Sequence, residues 1–125
     1  MIPRYTRKEI SDIWQANNKF NIWLKIELLI CEALAIKGEI PKKSLHTIKK
    51  KAKFDIARID QIEKEVKHDV IAFLTNVSEY VGPDSRFIHK GVTSSDIIDT
   101  SYSLQLRQSS KIIKEGLRNL IKNLR

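Results

Sequence analysis

The sequence predicts an all-α protein. Three observations carry that expectation. Apolar residues recur every three or four positions through long stretches of the chain. No stretch alternates apolar with polar residues as a half-buried strand does. The clearest breaks, Gly38 with Pro41 and Gly82-Pro83-Asp84, fall between the periodic stretches and not inside them.

The elements follow in order. Residues 1–5 read as an extended lead-in, since Pro3 disfavours helix just before it. Thr6-x-x-Glu9 has the form of a capping box and opens a short helix through Ile10, Ile13 and Trp14. Asn17-Asn18 interrupts the pattern and can cap a second helix over residues 19–37. That helix has Phe20, Trp23, Leu24, Leu28, Cys31 and Ala35 on one face, and Ile22, Ile26, Leu29, Ile30, Ala33 and Ile36 around much of the rest. A helix apolar nearly all round is expected to be buried on two sides, which makes subunit contacts plausible in so small a unit. Gly38 suits the left-handed position after the helix, and Pro41 the first turn of the next.

Lys42, Lys43, Lys49, Lys50, Lys51 and Lys53 then crowd residues 42–53, which contain no acid. Leu45, Ile48 and Ala52 keep a narrow apolar stripe there, so this reads as a surface helix with a solvated lysine face. Residues 54–66 form another helix, with Asp55 near its start and Ile56, Ile59, Ile62 and Val66 inward. Lys67-His68-Asp69 marks a junction, after which Val70, Ile71, Phe73, Leu74 and Val77 restore an apolar face. The last helix begins near Ser94. Ile113, Leu117, Leu120, Ile121 and Leu124 hold its spacing to the end with no stop signal, so a truncated or expressed fragment is expected.

Composition excludes several classes. At 42% hydrophobic and 30% charged, the 125 residues suit one ordinary globular unit. No apolar run reaches the roughly eighteen residues of a membrane span, and MIPRYTRKEI lacks the apolar core of a secretion signal. Cys31, the sole cysteine, sits in an apolar row and reads as a small core residue. A cytoplasmic location with no membrane partner is expected. The net charge of +8 raises nucleic acid as a partner. The excess lies mainly in the lysine helix, without an arginine-rich groove, aromatic stacking set or helix-turn-helix pattern, so no nucleic-acid partner is expected. No metal-ligand cluster or phosphate-cradling glycine loop is present, and no metal or cofactor is expected.

Candidate chemistry concentrates at residues 89–100, HKGVTSSDIIDT. Its first half is polar and carries Gly91, suiting a loop that brings backbone close to a ligand. Thr93 or Ser94 can cap the helix, and Asp96 and Asp99 suit the positive end of its dipole. Hydroxyls, free N–H groups and His89 thus converge on one helix start, the usual assembly for an anionic, oxygen-rich ligand. Arg4-Tyr5 offers a guanidinium beside a phenol for phosphate or carboxylate. His68, flanked by Lys67 and Asp69, is either a structural or a catalytic histidine.

Three collinear segments, MIPRYTRKEISDIW, KHDVIAFL and HKGVTSSDIIDT, resemble the adenylosuccinate lyase branch of the fumarase/aspartase superfamily. The last matches that branch's HxGxTSxDxxDT signature, and CEALAIKGEIP also looks like the family. The resemblance covers essentially the whole chain and corresponds to the N-terminal part of a longer enzyme. It implies an N-terminal helical domain of the fumarase/aspartase-type fold at residues 1–92, then the start of a long bundle helix at 93–125. It implies β-elimination of fumarate from adenylosuccinate, giving AMP, and from the succinylated aminoimidazole carboxamide ribotide of purine biosynthesis. By position, Arg4 and Tyr5 would hold the nucleotide end. Lys67, His68 and Asp69 would line the site, with His68 bonding the substrate and helping to orient proton transfer. Thr93 and Ser94 would bind the succinyl carboxylates, and His89 would stand nearby. The family usually has arginine before the histidine, so Lys67 departs from the pattern and loses a bidentate option. The family's general acid histidine and general base serine lie in later segments, and each site is built from three subunits of a homotetramer. A chain limited to these residues is therefore expected to be inactive alone.

Three alternatives stand beside this reading. One is another superfamily member, such as argininosuccinate lyase or the carboxymuconate cycloisomerase. The second is a non-enzymatic helical interaction module that docks through its apolar second helix. The third is an RNA-binding domain built on the lysine cluster.

Overall fold

The computed structural model describes residues 2–124. Among the described residues six α-helices run in sequence: α1 (Lys8–Ile13), α2 (Ala16–Ile36), α3 (Lys42–Lys51), α4 (Ile56–Val66), α5 (Asp69–Val81) and α6 (Ser94–Leu124). A 3-10 turn, Pro3–Tyr5, precedes them and another, Gly82–Phe87, joins α5 to α6. No strand occurs among the described residues.

The core forms where α2, α5 and the start of α6 meet. On α2, Phe20, Trp23, Glu27, Cys31 and Ala35 recur at helical spacing and are buried. The Phe20 ring stacks on Phe73 of α5 at 5.6 Å, and Trp23 stands edge-on to both, at 5.4 and 5.6 Å. Such rings remove large apolar areas from water and also fix their mutual orientation. The indole Nε1–H of Trp23 donates to Ser101 Oγ of α6 at 2.8 Å, so this buried donor is satisfied. Ile97 of α6 is fully buried in the same cluster, together with Ile40, Ile48 and Ile59. The N-terminal half of α6 is thereby fixed to the body. Its far half carries Ile113, Leu117, Leu120, Ile121 and Leu124 in the open, each more than half exposed.

Several boundaries differ from expectation for identifiable reasons. The lead-in closes into a turn, because Tyr5 N–H donates to Ile2 O at 3.0 Å and Thr6 Oγ1 to the same oxygen at 2.8 Å. Thr6 is therefore spent and no capping box forms: Arg7 occupies the N-cap position, and Glu9 pairs with the Arg7 guanidinium at 3.2 Å. The second helix starts earlier than 19, at Ala16. Asn17 and Asn18 lie inside it, and Asn18 donates to Ile13 O at 2.8 Å instead of capping. Pro41 is the N-cap of α3 and not part of its first turn. The helix expected from 54 begins at Ile56, with Asp55 as a cap accepting from Arg58 N–H at 3.0 Å.

Burial also differs at some positions. Val66 and Ile71 are nearly half exposed, and Leu29 and Ile36 of α2 lie outward, while Ile22, on the side of α2 away from the Trp23 row, is buried as well. Gly38 does end α2, at φ +80°: Glu39 N–H donates to Leu34 O at 2.9 Å and Gly38 N–H to Ala35 O at 3.1 Å. The lysine helix α3 anchors through Ile48. Its Lys49 reaches Glu32 at 2.6 Å, and Lys53 lies over the Tyr80 ring at 4.6 Å.

Candidate active site

The start of α6 is built as a donor array. Thr93 N–H donates to Asp96 Oδ2 at 2.8 Å, and Asp96 N–H to Thr93 O at 3.0 Å, a reciprocal pair that fixes the first turn. Thr93 is thus the capping residue, with its side chain exposed, and Ser94 opens the helix half-buried. The backbone N–H groups of Ser94 and Ser95 have no acceptor among the described residues and point along the positive end of the dipole.

The loop before it is held in an unusual backbone. His89 and Gly91 both lie in the left-handed region, at φ +64° and +79°. Glycine accepts that conformation freely, whereas histidine needs compensation. Glu27 of α2 supplies it. Its Oε2 accepts from His89 N–H at 3.0 Å, and its Oε1 lies 2.6 Å from His89 Nδ1. Glu27 is 1% exposed, and this burial raises its pKa above the ordinary carboxylate value against the opposing bond and charge of His89. One turn further along α2, burial and then the Glu27 charge push the Cys31 thiol up to about 11, which makes it an inert core group. Lys90 reaches Glu39 at 3.3 Å and ties the loop to the end of α2 from outside.

A second group sits between α4 and α5. Lys67 closes α4 in the left-handed conformation, φ +56°, with its N–H on Glu63 O at 2.9 Å. His68 caps α5. Its Nδ1 accepts from Ile71 N–H at 3.4 Å and lies 3.7 Å from Asp69 Oδ1, which itself accepts from Val70 N–H at 2.7 Å. Lys67 is exposed and lines an open cleft with Asp60, Glu63 and Lys64, two cations facing two carboxylates. The third group, Arg4 and Tyr5, lies on the first turn, both exposed, with the guanidinium 4.8 Å from the phenol ring centre.

Within each group the side chains are therefore organised. Between the three groups no hydrogen bond or ion pair runs, among the described residues. Glu27 is the residue that the pattern of residues 89–100 did not reveal. Its signal was present as a lone acid in the otherwise apolar row Phe20, Trp23, Cys31 and Ala35. No group of three or more histidine, cysteine or acidic side chains is gathered as for a metal ion, among the described residues.

Comparison with known proteins agrees with this architecture. A family model described as lyase matches residues 4–125. Adenylosuccinate lyase of Synechocystis is 52% identical over 125 residues, covering 100% of this chain and 29% of that protein. Adenylosuccinate lyase of Staphylococcus saprophyticus is 43% identical over 121 residues, covering 97% of this chain and 28% of that protein. The chain thus spans under a third of the length of these relatives. The crystal structure of a fumarate lyase from Mesorhizobium superposes with a TM-score of 0.84 at 21% identity, over 94% of this chain and 30% of that one. At that identity the likeness speaks for the fold.

Proposed function

Because the chain belongs to the lyase family, we propose that it forms the N-terminal part of an adenylosuccinate lyase, which releases fumarate by β-elimination. The observation that carries this is the 52% identity to a protein of that name across every residue of the chain. The substrates of the whole protein are adenylosuccinate, yielding AMP, and the succinylated aminoimidazole carboxamide ribotide of purine synthesis. The work is cytoplasmic and needs no cofactor.

The reaction breaks a C–N bond. A base removes the proton α to one carboxylate, the electron pair forms the fumarate double bond, and an acid protonates the leaving nitrogen. This chain contributes the grip on the substrate. The Thr93 hydroxyl and the free amides of Ser94 and Ser95 suit the succinyl carboxylates, since they add fixed N–H donors at a positive helix end. Arg4 and Tyr5 take the nucleotide phosphate. Lys67, His68 and Asp69 line the site, with His68 bonding the substrate and orienting proton transfer. His89 presents its ring from the loop beside Thr93. The acid and base belong to segments beyond residue 125, so a polypeptide limited to these residues does not turn over alone.

We also propose that residues 1–92 act as an N-terminal helical domain and that 93–125 start a bundle helix of a homotetramer. The exposed row Ile113, Leu117, Leu120, Ile121 and Leu124 supports this, since a helix with so wide an apolar face in water is poised for helical neighbours.

The test is fumarate release from adenylosuccinate by this chain alone and by this chain mixed with the remaining part of a family member. Release in the mixture only, abolished by His68→Ala and absent with argininosuccinate, is the expected result. Turnover by the chain alone contradicts the placement of acid and base, and release from argininosuccinate instead contradicts the substrate.

A further inference from the structure

We infer that Glu27 is a positioning residue that holds the His89 ring as its Nδ1–H form and turns Nε2 outward as the ring's free nitrogen. This rests on placing His89 in the substrate site, and it extends that reading to a residue on a different helix.

A carboxylate can only accept hydrogen bonds, and Glu27 has two nitrogens to satisfy. Oε2 accepts from the backbone N–H of His89 at 3.0 Å. Oε1 lies 2.6 Å from Nδ1, a distance suited to a charge-assisted N–H···O bond. The ring proton therefore sits on Nδ1. Nε2 has no partner among the described residues and is not among the buried unpaired atoms, so it is open to a ligand. Both contacts come from one residue, and they fix one unit: the left-handed backbone at φ +64° and the ring that projects from it. A carboxylate that orients a histidine in this way sets which nitrogen faces the substrate and whether it can accept a proton there.

His68 is set the opposite way. Its Nδ1 accepts from Ile71 N–H at 3.4 Å, which leaves the proton on Nε2. The neutral rings thus offer a ligand unlike groups, an N–H from His68 and a lone pair from His89. His68 also supplies an internal reference within the same molecule.

The test is nitrogen-15 NMR of the imidazole rings in this chain at a pH where the rings are neutral. The wild type is expected to show His89 protonated on Nδ1 and His68 on Nε2. In Glu27→Gln the carboxamide oxygen can still accept from His89 N–H, but the amide NH2 then faces Nδ1. The His89 proton is expected to move to Nε2, with His68 unchanged, and Glu27→Asp is expected to restore the wild-type pattern at least in part. A contact that only packs against the ring, without fixing its tautomer, predicts no such exchange. A wild-type His89 with its proton on Nε2, or an unchanged pattern in Glu27→Gln, overturns the inference. The wild-type spectrum decides the matter alone if the variant does not fold. No substrate enters the measurement, so its failure is separate from a failure of the lyase reading, which fumarate release tests.

Discussion

The carboxylate of Glu27 bridges the backbone and the ring of His89, at 3.0 Å to the amide nitrogen and 2.6 Å to Nδ1. The two residues lie on α2 and on the loop entering α6, so one buried side chain sets where the candidate substrate loop stands relative to the core.

That bridge has a pH signature. Burial raises the Glu27 pKa, and the His89 bond and charge offset part of the rise. The folded protein therefore binds this proton more tightly than the unfolded chain, whose carboxyl titrates near pH ~4.3. The favourable contribution is complete below that value and is lost as pH rises through the folded value. Urea midpoints of the wild type are expected to fall relative to Glu27→Gln as pH climbs from the ordinary carboxylate range. Parallel profiles, or a wild type that gains on the variant, would count against the buried carboxylate.

Backbone strain at position 89 is separable from the ring contact. His89→Gly and His89→Ala both remove the ring, but only glycine is relaxed at φ +64°. The alanine variant is expected to be less stable by roughly 1 kcal/mol in equilibrium unfolding. Equal stabilities would mean that the loop relaxes out of the left-handed conformation.

Phe73 is 1% exposed and contacts Phe20, Trp23 and Phe54 at once. Phe73→Ala opens a cavity between α2 and α5 and is expected to cost about 3–5 kcal/mol in denaturant unfolding. A loss below about 1 kcal/mol would be that of a surface site and would contradict this packing.

Ser101 accepts the Trp23 indole hydrogen at 2.8 Å inside the core. In Ser101→Ala the indole N–H remains buried without an acceptor, for an expected loss of about 1–3 kcal/mol. A neutral substitution would show that the indole finds another partner.

Much of the fold was legible because helical periodicity is a local signal. Gly38 and the start of α6 at Ser94 lie where the turn and cap chemistry of the sequence expected them. The misplaced starts of α1 and α2 share a cause: Thr6 and Asn18 spend their side chains on Ile2 O and Ile13 O, neighbours that only the folded turn brings within reach. Val66 and Ile71 carry an inward spacing but flank the α4–α5 junction, where the helix direction changes and the pattern stops reporting the core.

The site was legible in part. Thr93, Ser94 and His89 were visible as one contiguous stretch, with Thr93 or Ser94 readable as a cap, but the turn is closed by the Thr93 backbone N–H on Asp96 and not by a hydroxyl. Glu27 could not be tied to His89, because the pair is separated by 62 positions and only the packing of α2 beneath the loop joins them. The lone acid in an apolar row was the one trace it left.

The most direct measurement is a titration of adenylosuccinate into nitrogen-15-labelled chain, following backbone amides and histidine rings. The proposed grip requires shifts gathered at Thr93, Ser94 and Ser95, with the rings of His68 and His89 responding together. Shifts confined to the lysines of α3, or an unmoved start of α6, would contradict it.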